Sequence, residues 1–408
     1  MNDLLFLAHR LPYPPNKGDK IRSFHWLAHL ARRYRVYLGA FVDDPNDFQY
    51  EAEVAKYCED YCIRPLGRVG RLVGTASAYF RGQPLTLGYY ADSRLQAWID
   101  AVVSKKGIRR AFVFSAAMAQ FVETSGQCSI VTDLVDVDSE KWRQYSTRRS
   151  WPLSYLLARE ARKLLEYERE TAKRSARVLF VTSREARLFT ELAPETAGNV
   201  HVVENGVDVE YFSPDRVYVD PYSTGARVLV FTGAMDYWAN VDAVSWFVSE
   251  ILPQVRARVH GAEFWIVGAR PTRVVRNLAA APGVHVTGTV PDVRPYLQHA
   301  RAAVIPLRVA RGIQNKVLEA FALGRPVVAT SAALDALELP AALDDFRADE
   351  PVAFAQKCVG LLGAPRAMRS DARAFVLGRY RWDDKARLVE GFIEGVAPFE
   401  SHARSSPP

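Results

Sequence analysis

The feature that most constrains this 408-residue chain is an alternation of two patterns. Short apolar runs, each ended by polar or turn-forming residues, are separated by longer stretches of helical period. Runs at residues 4–8, 36–42, 111–114, 130–132 and 178–182 read as strands buried on both faces, as in a parallel sheet. Leu11-Pro12-Tyr13-Pro14-Pro15 stops the first of them. An amphipathic helix runs to about residue 33, and a longer one over 150–174, with Ser150 as its expected cap and Pro152 in its first turn. The alternation continues in the second half. A run at 201–203 leads into Asn205-Gly206, and residues 213–226 are loop-like. Runs then follow at 228–232, 263–267, 285–287, 302–306 and 327–329, with helices expected near 241–258 and 315–323. Strands and helices of this length, alternating twice, predict an α/β chain of two doubly wound Rossmann-like domains.

The expected boundaries are an N-terminal domain over 1–204, a linker over 205–225 and a C-terminal domain over 226–378. A last helix over 379–399 is expected to pack back on the N-terminal domain, and a polar tail over 400–408 to be disordered. With 49% apolar and 24% charged residues the composition is globular and supports two cores.

Charge is uneven. Residues 1–200 carry 30 Lys/Arg against 23 Asp/Glu, and the rest of the chain is balanced at 23 each. An anionic partner of the N-terminal half, or a solubilising surface, accounts for the excess. Residues 150–174 mix leucines with Arg and Lys, which reads either as core packing with a wet basic face or as a helix lying on anionic lipid. Cys58, Cys62, Cys128 and Cys358 include no second close pair, so no zinc site is expected and a reduced, cytoplasmic setting fits. No signal peptide or spanning segment is expected, nor does any nucleic-acid module appear.

In open parallel sheets ligands bind beyond the carboxyl ends of strands, so the loops there hold the candidate chemistry. The richest is Arg308-Val309-Ala310-Arg311-Gly312-Ile313-Gln314-Asn315-Lys316, between the strand ending at Pro306 and a helix that stops at Gly324. The start of that helix, at Asn315, offers free N–H groups to a phosphate, and Arg308, Arg311 and Lys316 add cations. Lys316 and Glu319 share a helix face, where the carboxylate suits two ribose hydroxyls; an ordinary solvated Lys–Glu pair is the alternative.

In the first domain, Gly18 sits in the first strand-to-helix loop, where a ligand can approach the backbone; Lys17, Lys20 and Arg22 stand nearby as possible anion partners. His9 and Arg10 end the first strand. Asp133, Asp136 and Asp138 follow the 130–132 strand. Asp133 or Asp136 is a candidate to orient or deprotonate an acceptor hydroxyl, and Asp138 or Ser139 to cap the next helix.

The segment ending Glu319 and Gly324-Arg325-Pro326-Val327-Val328 resembles the C-terminal motif of the family 4 glycosyltransferases, which have the GT-B fold of two facing domains. Glu204-Asn205-Gly206-Val207-Asp208 resembles the family's hinge signature, and Phe231-Thr232-Gly233 its diphosphate-facing loop. Met235 and Asn240 stand where the family supplies Arg and Lys. Val286-Thr287-Gly288-Thr289-Val290 resembles the strand whose following backbone recognises the base. Residues 17–22, 133–142 and 310–316 are similar to a bacterial subgroup associated with exopolysaccharide clusters and PEP-CTERM sorting systems.

The resemblance implies a donor site of Gly18, Gly233, Val290, Arg308, Arg311, Asn315, Lys316 and Glu319, with Glu319 on the ribose and Arg311 and Lys316 on the diphosphate. The family's first motif Glu falls on Arg311, which leaves the donor-sugar contact without its usual residue. It further implies sugar transfer with retention from a UDP- or GDP-linked donor to a glycan or lipid-linked acceptor. No cofactor, metal or nucleic-acid partner is implied; peripheral contact with the inner face of an anionic bacterial membrane is. A nucleotide-sugar epimerase, or a transferase acting on a soluble sugar phosphate, is the alternative on the same fold.

Overall fold

A computed structural model describes residues 1–15, 18–122, 128–310, 312–365 and 368–395. Lys17, Arg311 and the 400–408 tail lie outside the described residues. The chain divides into two compact units: Met1–Glu204 with the segment from Asp383 onward, and Asn205–Trp382.

The first unit is built on a seven-stranded sheet of order β3-β2-β1-β4-β5-β6-β7. Its strands are Asn2–Ala8 (β1), Tyr34–Val42 (β2), Asp60–Pro65 (β3), Arg110–Phe114 (β4), Ser129–Val135 (β5), Arg177–Phe180 (β6) and Val200–Val202 (β7). Every pairing is parallel. The second unit carries Arg227–Thr232 (β8), Ala262–Val267 (β9), Val284–Gly288 (β10), Ala302–Ile305 (β11) and Val327–Ala329 (β12), in the order β10-β9-β8-β11-β12, again all parallel. Each sheet therefore reverses its strand order once, at β1/β4 and at β8/β11, and these are the positions where open α/β sheets hold ligands.

Helices cover both sheets because the strands are apolar on both faces: Leu4 through Ala8 and Val228 through Phe231 are all fully buried. The region 205–225 is irregular but not a free linker. Val207, Val209 and Phe212 enter the core of the second unit. The Trp382–Glu394 helix packs on the first unit through buried Val389, Phe392 and Ile393. Glu390 pairs with His29 at 3.1 Å, and Tyr34 donates to Glu394 at 3.2 Å.

A buried ionic network sits under the first sheet. Arg22, on the Gly18–Leu30 helix, is fully buried. It donates to both oxygens of the equally buried Asp133 at 2.7 and 3.1 Å, and to the Val203 carbonyl at 2.7 Å. The Trp26 indole adds a third bond to Asp133, at 2.9 Å. Lys20 is likewise buried, against Asp47 at 2.5 Å. These contacts correct three expectations. Arg22 and Lys20 are not free to meet an anion, and Asp133 has no exposure with which to serve an acceptor hydroxyl.

Two capping expectations also change. Ser150 does not cap the Leu153–Arg174 helix; Pro152 occupies the cap position and makes no side-chain bond. Asp138 and Ser139 lie inside the Asp138–Ser146 helix rather than before it. Its first N–H groups are taken by carboxylates from elsewhere: Glu185 accepts from Val137 at 2.8 Å and Glu168 from Ser139 at 3.2 Å. Burial pushes the Glu168 carboxyl up to about 8. The Leu153–Arg174 helix buries Ala161, Leu164 and Ala172, so most of its apolar side is core and only its start faces outward.

Removing one partner of the central pair leaves a charge buried without compensation. Asp133→Ala is expected to cost about 3–5 kcal/mol in urea unfolding, and the double substitution Arg22→Met with Asp133→Leu to recover most of that loss.

Candidate functional site

The strand-order reversal of the second unit gathers the ends of β8, β9 and β11 around the start of the Asn315–Ala322 helix. β8 runs into Gly233 at φ 157°, and β9 into Gly268 at φ 156°. The two glycines touch backbone to backbone, and a Cβ on Gly268 would overlap the Gly233 carbonyl oxygen. Met235 N–H donates to the Ala269 carbonyl at 2.8 Å and fastens the loop.

Above Gly233 lies Asn240, buried at the start of the Trp238–Trp246 helix. Its Nδ2 donates to the Ala234 carbonyl and its Oδ1 accepts from Lys316 Nζ, both at 2.8 Å. The Lys316 ammonium also lies 4.3 Å from the centre of the Phe231 ring. A Cβ on Gly233 would stand 2.9 Å from Asn240 Nδ2 and 3.3 Å from Lys316 Nζ. The absence of a side chain there keeps the floor of the site open.

Lys316 sits in the first turn of the Asn315–Ala322 helix because Val317, Leu318 and Phe321 pull the opposite face into the core. Gln314 gives this helix no side-chain cap, and Asn315 Oδ1 is buried without a partner. The positive helix end is thus left for an anion. One turn on, the Glu319 carboxylate makes no hydrogen bond or ion pair among the described residues. Desolvation raises its carboxyl to about 7, against a smaller opposing pull from Lys316. Desolvation lowers the Lys316 ammonium to about 7, with Glu319 partly offsetting it. Two ionisable groups are held where neither is well solvated, the arrangement expected of a site that awaits a polar ligand.

The remaining expected donor residues divide. Arg308 is half-exposed and forked onto Asp242, with Nε 3.0 Å from the carboxylate, so its charge is already matched. Arg311 lies outside the described residues. Val290 follows β10 just after Gly288, and its backbone makes no hydrogen bond among the described residues. Asn240 was legible only as a departure from a motif; the structure adds that it orients Lys316.

In the first unit Gly18 opens its helix with nothing within 4 Å of where a Cβ would stand. Around it lies a network that the sequence did not disclose. Asp19 accepts from Arg10 at 2.7 Å and stands 3.5 Å from His9 Nε2, and Arg10 also reaches Asp43 at 3.0 Å. Burial opposes ionisation of Asp19, but His9 and Arg10 together hold its carboxyl well below the usual range. The His9 ring stacks on Phe114 at 5.7 Å.

Two strand ends nearby have positive φ at non-glycine residues, Ser115 at 81° and Val135 at 68°. The second is a strained conformation for a β-branched residue, of a kind that concentrates at functional sites. It carries the chain to Asp136, which is partly exposed and 3.0 Å from Lys141. Lys141 also binds Asp138, at 2.8 Å. Although burial opposes its charge, the two aspartates keep Lys141 firmly protonated. Among the described residues no group of His, Cys, Asp and Glu is arranged to hold a metal ion.

The whole chain superposes on solved two-domain transferases. HepE from Anabaena, crystallised with UDP and glucose, aligns at TM-score 0.65 and 13% identity, over 97% of this chain and all of HepE. The fold is GT-B. Sucrose-phosphate synthase from Thermosynechococcus elongatus gives TM-score 0.67 at 15% identity, covering 97% of this chain and 99% of its own. A third GT-B structure, WaaG, a glycosyltransferase involved in lipopolysaccharide biosynthesis, gives 0.60 at 14%, covering 97% and 100%. Residues 226–364, within the second unit, match the family model described as glycosyl transferases group 1. No curated protein matches the sequence.

The raised carboxyl of Glu319 makes a signed prediction. The folded chain holds that proton more tightly than the unfolded chain, so the group weakens folding as pH rises from about 4.5 to about 7. Lys316, lowered to about 7, gives the opposite slope only above that pH. The urea-unfolding free energy of Glu319→Gln should therefore gain on the parent between pH 5 and pH 7. An equal gap at both pH values would mean that the carboxyl titrates normally.

Proposed function

We propose that the chain is a glycosyltransferase that takes its sugar from a UDP-linked donor. The observation that carries this reading is the Lys316–Glu319 pair at the strand-order reversal of a group 1 glycosyl transferase domain, with the carboxylate unpartnered and the adjoining helix start uncapped. HepE, alike in fold, was crystallised with UDP and with UDP-glucose, which favours uracil as the base.

In this reading Glu319 accepts two ribose hydroxyls. The diphosphate lies over Gly233 against Lys316 and the N–H groups at Asn315, and the resemblance assigns Arg311 to the same diphosphate. Arg308 takes part only on leaving Asp242. The Val290 backbone meets the base. The bond from the anomeric carbon to the diphosphate breaks, its electron pair goes to the phosphate oxygen, and Lys316 with the helix dipole stabilises that charge. An acceptor hydroxyl oxygen bonds to the anomeric carbon. With retention, the acceptor arrives on the face the diphosphate leaves, so the departing phosphate oxygen can receive the hydroxyl proton. The resemblance assigns Gly18 to the donor, and Asp136, beside Lys141, is the carboxylate of the first unit that orients an acceptor hydroxyl. The acceptor is a lipid-linked glycan of the cytoplasmic leaflet in exopolysaccharide synthesis, as the resemblance to the bacterial subgroup implies.

Calorimetric titration with UDP, GDP and ADP tests the donor site. UDP should bind, and Glu319→Ala and Lys316→Ala should each weaken it by about tenfold or more, the loss of a charged hydrogen-bonding partner. A folded protein that binds none of the three would remove this site from consideration.

A further inference from the structure

The Arg68–Phe80 helix is turned the wrong way for a helix of a globular core. Its inner face is small: Gly74 meets Gly88 of the Leu85–Tyr89 helix backbone to backbone, and a Cβ on either would overlap the other's carbonyl oxygen. Ala78 is its one buried residue. The large side chains point away, with Val69 75%, Leu72 72% and Phe80 85% exposed. A soluble surface helix normally does the reverse.

The start of the Leu153–Arg174 helix adds to this side of the unit, where Trp151 is 81% exposed and Tyr155 is exposed as well. The two helices are clamped together. Arg159 donates to the Tyr79 carbonyl at 3.1 Å and to that of Gln83 at 3.2 Å, with its guanidinium 4.6 Å from the Tyr79 ring centre. Glu160 accepts from the N–H groups of Leu85 and Thr86 at 2.6 and 2.9 Å. Between them runs an apolar groove of about 540 Å³, walled by Leu72, Tyr79, Leu85 and Leu156 and rimmed by Arg68 and Arg71.

The same stretches of chain lack acidic residues. Residues 61–91 and 141–159 contain nine Lys/Arg and no Asp or Glu. Arg64, Lys141 and Arg143 among these pair with carboxylates just outside the two stretches, which leaves a smaller basic excess around the face. Isolated apolar residues on a surface are ordinary, whereas a contiguous apolar face with a basic surround marks an interaction site. We infer that this face, built from the Arg68–Phe80 helix and the Trp151–Tyr155 turn, seats the protein on an anionic lipid bilayer.

Three features favour a bilayer over another protein. The charge is of one sign. The apolar groups are aromatic and aliphatic chains on a short amphipathic helix, suited to shallow insertion among headgroups. Trp, Tyr and Arg are the residues that anchor at that depth. Among the described residues no helix is long and apolar enough to cross a membrane, so the seat is peripheral. The sequence-based alternative of lipid contact along residues 150–174 is here confined to the start of that stretch. It does not rest on the transferase reading and stands if the donor site fails.

Flotation of the full chain with phosphatidylcholine vesicles, with and without about one-third phosphatidylglycerol, tests it. The protein should float with the anionic vesicles at least about tenfold better than with the neutral ones, and less well in high salt. Leu72→Ser with Phe80→Ser, and separately Arg68→Glu, should each lower binding about tenfold while leaving the melting temperature in place. The vesicle-induced blue shift of tryptophan fluorescence should disappear in Trp151→Phe. Failure to float with either vesicle, or equal flotation of parent and variants, overturns the inference. So does light scattering that shows a dimer which Leu72→Ser with Phe80→Ser dissociates, because the face would then belong to a second copy of the chain.

Discussion

The first unit depends on one electrostatic constraint: a guanidinium and a carboxylate are buried together in its centre. A buried pair of this kind contributes little net stability against an apolar substitute, yet neither member can be left alone. Its effect is therefore to fix geometry. Arg22 ties the first helix to β5 through Asp133, and to the chain just before the unit boundary through Val203. Trp26 adds a third hydrogen bond to the carboxylate. Gly18 and Asp19 lie at the start of that helix and Asp136 three residues beyond Asp133, so the position of the strand-end network follows from this pair.

The second unit solves the opposite problem. Its Lys316–Glu319 pair is kept short of hydrogen-bond partners. Lys316 is given a neutral partner, Asn240, and an aromatic face instead of a carboxylate, while Glu319 is given no hydrogen bond at all among the described residues. Both groups sit away from their ordinary protonation behaviour because the apolar helix behind them excludes water. The contrast with Arg22 and Asp133 separates two kinds of charge in one chain. One kind is spent on architecture, and the other is left available to a ligand.

Much of the fold was legible because its strands are short, apolar and buried on both faces, a pattern that survives without any partner being known. β3 was not legible: Asp60–Pro65 is a half-exposed edge strand of mixed composition. The Arg68–Phe80 helix was missed for a related reason, since a helix that packs through glycine and exposes valine carries an inverted signal. At the site, the charge-bearing residues of the Asn315–Ala322 helix could be named from spacing. Whether a named charge was free could not. Arg308, Lys20, Arg22 and Asp133 all find partners 27 to 111 positions away, and no local pattern announces such pairings. The Asp19 network with His9 and Arg10 was hidden in the same way, behind residues that look ordinary one at a time.

The contact between Gly74 and Gly88 separates two properties that most helices bind together. A helix usually holds its place by the same large side chains that give its surface a character, so a change in one disturbs the other. Here attachment is borne by backbone and by Arg159 from a neighbouring helix. The outward residues carry almost none of it. Mutational drift on that face can therefore retune stickiness, charge or preferred partner with little effect on folding, while the two glycines tolerate nothing larger than hydrogen. The helix acts as a mount whose fitting is fixed and whose exposed face is exchangeable.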